Sequence, residues 1–208
     1  MKIASRSLAV LAVLALLAAT ALCAPEPFQA EEAQRIAHKL NDTIGSPSDA
    51  PFATEVDPDR PHGFKADGRA ALILLPDRKL TADALEKAGK EPTAIGQLWM
   101  LEVSIAASGR PVANDQLRIV RVGEGEKSRD VQLYYLGAAK NEAGELQLVI
   151  FAKDKAQPVL RVPLAKSPTA SQSSPIEIEG RKQDDNSGVL TLHVLGEYTA
   201  EVPVMKPE

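Results

Sequence analysis

The stretch Val131-Gln132-Leu133-Tyr134-Tyr135-Leu136, the turn Asn141-Glu142-Ala143-Gly144 and the run Leu146-Gln147-Leu148-Val149-Ile150-Phe151-Ala152 decide the fold class. In the first run Val131, Leu133 and Tyr135 alternate against Gln132, Tyr134 and Leu136. In the second, Leu146, Leu148 and Ile150 share one side. A period of two is that of a β-strand, whose successive side chains point to opposite faces. Gly144 relieves the strained turn of a hairpin.

Working outward, the same period recurs. Ala70 to Leu75 is a continuous apolar run, as in a buried strand. Leu98–Ile105 is expected to put Trp99, Leu101, Val103 and Ile105 on one face. Strands are also expected over Leu117–Val122, Val159–Leu164, Ile176–Glu179, Val189–Leu195 and Tyr198–Val204. Polar turns separate them: Ser108-Gly109-Arg110-Pro111, Gly123-Glu124-Gly125, Asp184-Asp185-Asn186-Ser187-Gly188 and Gly196. Strands at this spacing, without helices alternating between them, indicate an antiparallel sandwich or barrel rather than a parallel sheet. Pro163 and Pro203 fall within strands and lack a ladder N–H, so edges or bulges are expected there.

Two segments are expected to be helical. Over residues 25–45, Ala33, Ile36, Ala37, Leu40 and Ile44 recur at helical spacing, Glu31 and Glu32 stand early, and Gly45 supplies a stop. Thr81–Lys90 is a short helix with Thr81 as N-cap. Residues 46–69, rich in Pro, Asp and Gly, read as a loop. The expected fold is therefore mainly β, an antiparallel β-sandwich of about 8–9 strands with an N-terminal amphipathic helix and one short helix.

The N-terminus reads as an address. Lys2 and Arg6 precede the uncharged, Ala- and Leu-rich run Leu8–Leu22, and small residues follow at Ala18, Ala19 and Ala21. This is the layout of a secretory signal peptide, and the run is shorter than a permanent bilayer span of about 20 residues. Cleavage after Ala21 would leave Leu22 first, and cleavage after Cys23 would leave Ala24 first. Lipidation of Cys23 is disfavoured, because Thr20 and Leu22 stand where a lipoprotein signal carries Leu and a small residue. The organisation is then 1–23 signal peptide, 24–69 N-terminal helix and Pro/Asp-rich loop, and 70–208 β-sandwich domain. The expected location is exported, periplasmic or extracellular, with no transmembrane span after processing.

The chain has 208 residues and a formal net charge of −4, from 24 Lys and Arg against 28 Asp and Glu. Without Lys2 and Arg6 the balance is 22 against 28, or −6. Nucleic-acid binding is not expected, since it needs a cationic surface that displaces counterions from phosphates. A single Cys excludes a disulfide scaffold.

The search for chemistry yields few candidates. The chain lacks a Gly-x-Ser-x-Gly elbow, a phosphate-binding Gly loop and a His-Glu-x-x-His pair. His38, His62 and His193 lie far apart and read as surface or packing residues. Asp57, Asp59, His62 and Asp67 cluster, but Pro58, Arg60 and Pro61 interrupt them, and a solvated turn is the better reading than a Ca²⁺ loop. Asp184, Asp185, Asn186 and Gly188 look like half of a calcium loop without its closing Glu, and a hairpin turn accounts for them. Trp99, Tyr134 and Tyr135 are the material for an aromatic platform. Trp99 is in phase with core residues, and at most one of the two tyrosines is expected to face outward.

Ser108-Gly109-Arg110-Pro111-Val112-Ala113-Asn114, followed by Leu117 and Ile119, resembles the opening of bacterial prealbumin-like sandwiches. These include carboxypeptidase regulatory-like and some immunoglobulin-like modules. Asn141 to Leu148 is similar to the Gly-turn-strand that follows in them, so the resemblance covers about residues 98–165. It implies a non-catalytic module and transfers no catalytic residue.

The expectation is an exported, non-enzymatic β-sandwich without metal or cofactor, acting as a protein-binding or cell-envelope accessory module whose partner is another envelope or extracellular protein. The alternative is a small-ligand, carbohydrate or Ca-binding module, and after it a hydrolase whose carboxylates meet only in space. Intact-mass measurement of exported protein should find a chain starting at Ala24. A soluble cytoplasmic product retaining Met1–Leu22 would contradict the export reading.

Overall fold

Strand alternation in this chain places apolar residues on both sides of the same strands. Leu72 and Leu74 point one way from their strand, and Ile73 and Leu75 point the other, yet all four are buried. A sheet of such strands needs a cover on each face.

The structure, a computed structural model, describes residues 25–44, 50–66, 69–168 and 171–207. In chain order the elements are β1 (Glu26–Pro27), α1 (Ala30–Ile44), β2 (His62–Lys65), β3 (Ala71–Pro76), α2 (Ala82–Glu86), β4 (Thr93–Leu101), β5 (Ser104–Ala107), β6 (Arg110–Pro111) and β7 (Ile119–Val122). They continue with β8 (Arg129–Lys140), β9 (Leu146–Phe151), β10 (Leu160–Pro163), β11 (Ala165–Lys166), β12 (Ile176–Lys182), β13 (Ser187–Val194) and β14 (Tyr198–Met205). The first sheet has eight strands in the order β1-β2-β3-β4-β8-β9-β10, with β7 also paired to β8. The second has six, in the order β12-β13-β14-β5-β6, with β11 also paired to β14. All pairings are antiparallel. The protein is an antiparallel β-sandwich.

Two cores result. Between the sheets, Leu72, Leu74, Leu98, Met100, Leu148 and Ile150 meet Ile105, Ile176, Ile178, Leu192, Val194 and Val202. On the other face of the first sheet, Ile73, Leu75, Trp99, Tyr135, Val149 and Phe151 pack against Ala33, Ala37 and Leu40 of α1. The small residues of α1 let the helix lie close to the sheet. Three polar ties hold it there: Lys65 Nζ to Glu32 Oε1 at 2.9 Å, His38 Nε2 to Asp59 Oδ1 at 2.9 Å, and Gln34 Nε2 donating to the Asp59 carbonyl at 2.9 Å.

Two strands turn a corner from one sheet into the other, as in packings where the sheets share strands. β4 ends at Leu101, Glu102 takes a left-handed φ of 57°, and β5 continues in the second sheet. β10 ends at Pro163, and after Leu164 the chain enters β11, also in the second sheet. Both corner strands dock on β14, at Val204–Met205 and at Tyr198–Thr199. A buried hydroxyl bolts the first corner. Tyr134 Oη lies 3.1 Å from Ser104 Oγ, accepts from the Ile105 amide at 3.4 Å and donates to Gln132 Oε1 at 2.6 Å. Burial pushes the Tyr134 hydroxyl pKa upward, so it remains a donor.

Several expectations are corrected. Trp99, Leu101, Val103 and Ile105 do not share a face, because the corner at Glu102 reverses the phase: Trp99 packs on the α1 side, and Ile105 lies between the sheets. The expectation that at most one of Tyr134 and Tyr135 faces outward agrees with the structure: both are buried, because both faces of β8 are covered. The loop expected over 46–69 contains β2, and the N-terminal helix starts at Ala30 rather than 25, after β1. Pro163 is on an edge strand, as expected. Pro203 is on the interior strand β14, and it falls in the part of that strand's second side left unpaired between β11 and β5. Residues 1–23, expected to be a signal peptide, and Gly45 and Asp67 lie outside the described residues.

The doubly covered sheet predicts that neighbouring residues of β9 are both stabilising. Leu148→Ala should cost about 2–5 kcal/mol and Val149→Ala about 1.5–3 kcal/mol. Urea denaturation of the two variants checks this. A loss at position 149 within about 0.5 kcal/mol, as at a surface site, would mean that α1 does not cover the sheet.

Candidate ligand-binding cleft

One end of the sandwich is open. The corner at Glu102 pulls the chain out of the first sheet, so β2 and β3 face β12, β13 and the end of β14 across a gap. The gap is a cleft of about 490 Å³. Its interior is apolar, built from Phe64, Leu72, Val103, Leu190 and Val204. Its mouth carries Arg69, Glu102, Arg181, Lys182, Asp184, Asp185 and Lys206. Small-molecule sites commonly combine this volume, an apolar lining and a few polar groups at the mouth of a β-structure.

Gly180 shapes the inner end. A Cβ there would stand 2.5 Å from Cζ of Phe64, so only glycine lets the Phe64 ring lie against β12. Gly188, opposite Lys182 in the register, is a second close approach, with a virtual Cβ 2.9 Å from the Arg181 carbonyl oxygen.

The Asp184–Ser187 turn beside the mouth is held by its own side chains. Asp184 Oδ1 accepts from the amides of Asn186 at 2.7 Å and Ser187 at 2.8 Å, and Oδ2 accepts from Ser187 Oγ at 2.5 Å. The Ser187 hydroxyl, then the Asn186 amide, hold this carboxyl below the ordinary range. Asp185 pairs with Lys182 at 3.0 Å. The hairpin reading of these residues is therefore the observed geometry.

A second set of polar groups joins the edges of the two sheets. His62 of β2 accepts a hydrogen bond on Nδ1 from the Ile178 amide of edge strand β12 at 3.1 Å. The neutral ring thus carries its proton on Nε2. Burial lowers the His62 pKa; the carboxylates of Glu177 and Glu179 oppose this shift, and His193 adds to it. Glu177 accepts from the Ser173 amide and hydroxyl and the Ser174 amide, and stays below its ordinary pKa although burial pushes it up. His193 pairs in register with Glu177, and its Nε2 is 3.8 Å from Glu179 Oε1.

The remaining candidates do not converge. Asp57 holds Arg60 at 2.7 Å, while Asp59 turns to His38 on α1, so the two carboxylates serve different partners. Among the described residues no group of three or more His, Asp or Glu is placed to hold a metal ion. The buried carboxylate of Asp77 accepts the amides of Glu55 and Lys79, each at 2.8 Å, and is a structural clasp. Trp99 donates to Gln97 Oε1 at 3.3 Å inside the core. The cleft itself was missed by sequence reasoning. Gly180 and Gly188, glycines within or beside strand-like runs, were the available signal of a close approach. Phe64, Leu190 and Val204 are too far apart in sequence to have announced a common cleft.

Comparison with protein-family models, with curated proteins and with solved structures finds no match.

Because the folded-state pKa of His62 is lowered from 6.5, its contribution is fully present above that pH and is lost as pH falls through the lower folded value. His62→Asn keeps an acceptor near Nδ1 and does not titrate. Urea midpoints at pH 7.5 and 5.0 should therefore fall less in the variant than in the wild type. An equal fall would show that His62 carries no part of the acid sensitivity.

Proposed function

We propose that the protein is an exported, non-enzymatic binding module that takes up a small molecule with an apolar body in the cleft between the sheets. The observation that carries this reading is the cleft of about 490 Å³ whose apolar interior opens to solvent. Desolvating such a surface favours any ligand with a matching apolar body. The charged and then apolar start, Lys2 to Leu22, supports action after export.

A protein-binding face has less to rest on. Among the described large hydrophobic side chains only Ile119 is exposed, at 49%. One such residue falls well short of the several hundred Å² of contiguous apolar surface that marks an interface. A carbohydrate platform lacks exposed rings: Phe64, Trp99, Tyr134, Tyr135, Phe151 and Tyr198 are buried.

The test uses N-phenyl-1-naphthylamine, an uncharged fluorophore that brightens in apolar surroundings. It should bind the wild type, and Val103→Trp, which fills the cleft, should weaken binding by about tenfold or more, or 1.4 kcal/mol. Ile119→Trp, on exposed β7, should leave binding unchanged, with thermal melts confirming that both variants fold. Failure to bind the wild type, or equal binding by Val103→Trp, would sink the reading.

A further inference from the structure

The helix does not close the outer face of the first sheet completely. α1 lies on that face through Ala33, Ala37 and Leu40, and beside its Ile36–Lys39 flank a groove of about 270 Å³ remains. Its floor is a row that the register places on the α1 side: Ile73 of β3, Trp99 and Leu101 of β4, Val131 of β8 and Val122 of β7. Leu101, Val122 and Val131 are only half-buried, so the groove keeps apolar surface open to water.

The charged side chains that line this groove are all cations: Lys39, Lys127 and Arg129. They come from late α1, from the turn after β7 and from the first position of β8. Arg129 alternates in phase with Val131, Leu133 and Tyr135, which places it on the α1 side of β8, whereas Asp130 lies on the opposite side and pairs with Arg121 at 2.8 Å. Gly123 has a φ of 97°, and a Cβ there would stand 3.0 Å from the Lys127 carbonyl oxygen, so this tight turn brings Lys127 and Arg129 to one rim. Arg129 Nη1 donates to the carbonyls of Glu126 at 3.3 Å and Ser128 at 2.8 Å, which fixes the guanidinium while leaving it without a carboxylate. None of the three cations has an ion-pair partner among the described residues. Of the nearby acids, Glu32 is taken by Lys65, and Asp42, Glu124 and Glu126 are exposed outside the lining.

We infer that this groove is a second binding site, for a compact organic anion whose apolar body lies over Leu101, Val122 and Val131 and whose anionic group meets Lys39, Lys127 and Arg129. The first sheet separates it from the cleft described above, so the two sites stand or fall independently. A cavity of about 150 Å³ holds benzene, and the larger groove has room for one ring or a short branched chain with its head group. Three charges of one sign at one rim favour an anion, and arginine adds paired N–H donors that match a carboxylate. An ammonium head would meet three like charges. An uncharged head would leave the cations to water.

The experiment titrates isotope-labelled protein at pH 7 with three molecules that share one body, 3-phenylpropionate, 3-phenylpropanol and 3-phenylpropylamine, and follows the amide NMR shifts. 3-Phenylpropionate should shift Ile36, Val122 and Gly123 saturably and bind about tenfold or more tightly than the amine, as a few exposed charge pairs acting together allow, and its affinity should fall with added salt. The triple variant Lys39→Gln, Lys127→Gln, Arg129→Gln should lose that preference. The charge-matched variant Lys90→Gln, Lys155→Gln, Lys166→Gln, away from the groove, should keep it. Val122→Trp, which fills the groove, should weaken the binding of all three molecules. If the triple variant fails to fold, Lys39→Gln with Lys127→Gln should lose part of the preference. Equal affinity for the three molecules, or a preference that survives in the triple variant, overturns the anion assignment. Absence of saturable shifts, or shifts at Val103 and Leu190 in place of those at Ile36 and Val122, overturns the second site and leaves the cleft to its own test. Sedimentation with phosphatidylglycerol vesicles, lost in the triple variant and without binding of free 3-phenylpropionate, would make the cationic rim a membrane contact and also overturn the site.

Discussion

A sheet that is apolar on both faces cannot be left with either face in water. That constraint organises the protein. Leu148 and Ile150 on one side of β9, and Val149 and Phe151 on the other, are buried to 4% exposure or less. At about 25 cal/mol per Å² of apolar surface removed from water, no polar tie here competes with this term. α1 and the second sheet are the two covers. Isolated, a helix of 15 residues would be marginal in water, so α1 owes its stability to the face it covers.

The second sheet is not an independent layer. β5 and β11 are continuations of strands that began in the first sheet, and β14 receives both. Tying the sheets through shared strands fixes their relative position more firmly than side-chain packing alone. It also explains a proline on an interior strand: between the two docking points β14 has no neighbour on its second side, and the missing N–H of Pro203 costs nothing there. The Tyr134 hydroxyl satisfies the Ser104 and Ile105 groups that the crossing would otherwise leave buried without partners.

The same corner that joins the sheets keeps them apart at one end. Where β4 departs at Glu102, a cleft opens beside Phe64, Leu72 and Leu190, which are themselves buried in the core between the sheets. The edges of β2 and β12 are bridged by the hydrogen bond from the Ile178 amide to His62.

Alternation over 131–136 and 146–152, with a glycine turn between, was enough to determine antiparallel β-structure, because a period of two has no other regular backbone to satisfy it. Thr81 determined a helix start, and its hydroxyl accepts from the Ala84 amide at 3.2 Å as the capping pattern requires. Period alone could not say that both faces of Val131–Leu136 are covered, since a buried face and a doubly buried strand differ only in what packs against them from elsewhere. Nor could it locate the reversal at Glu102, where one left-handed residue moves Ile105 to a different core from Trp99. β2 escaped notice because four residues between Pro61 and Ala66 carry too short a pattern to stand out from a loop. The cleft was the least legible feature. Phe64 and Leu190 are separated by more than a hundred residues, and only the packing of β2, β13 and β14 brings them and Val204 to one cleft, because long-range proximity is a property of the closed fold and leaves no local trace in the chain.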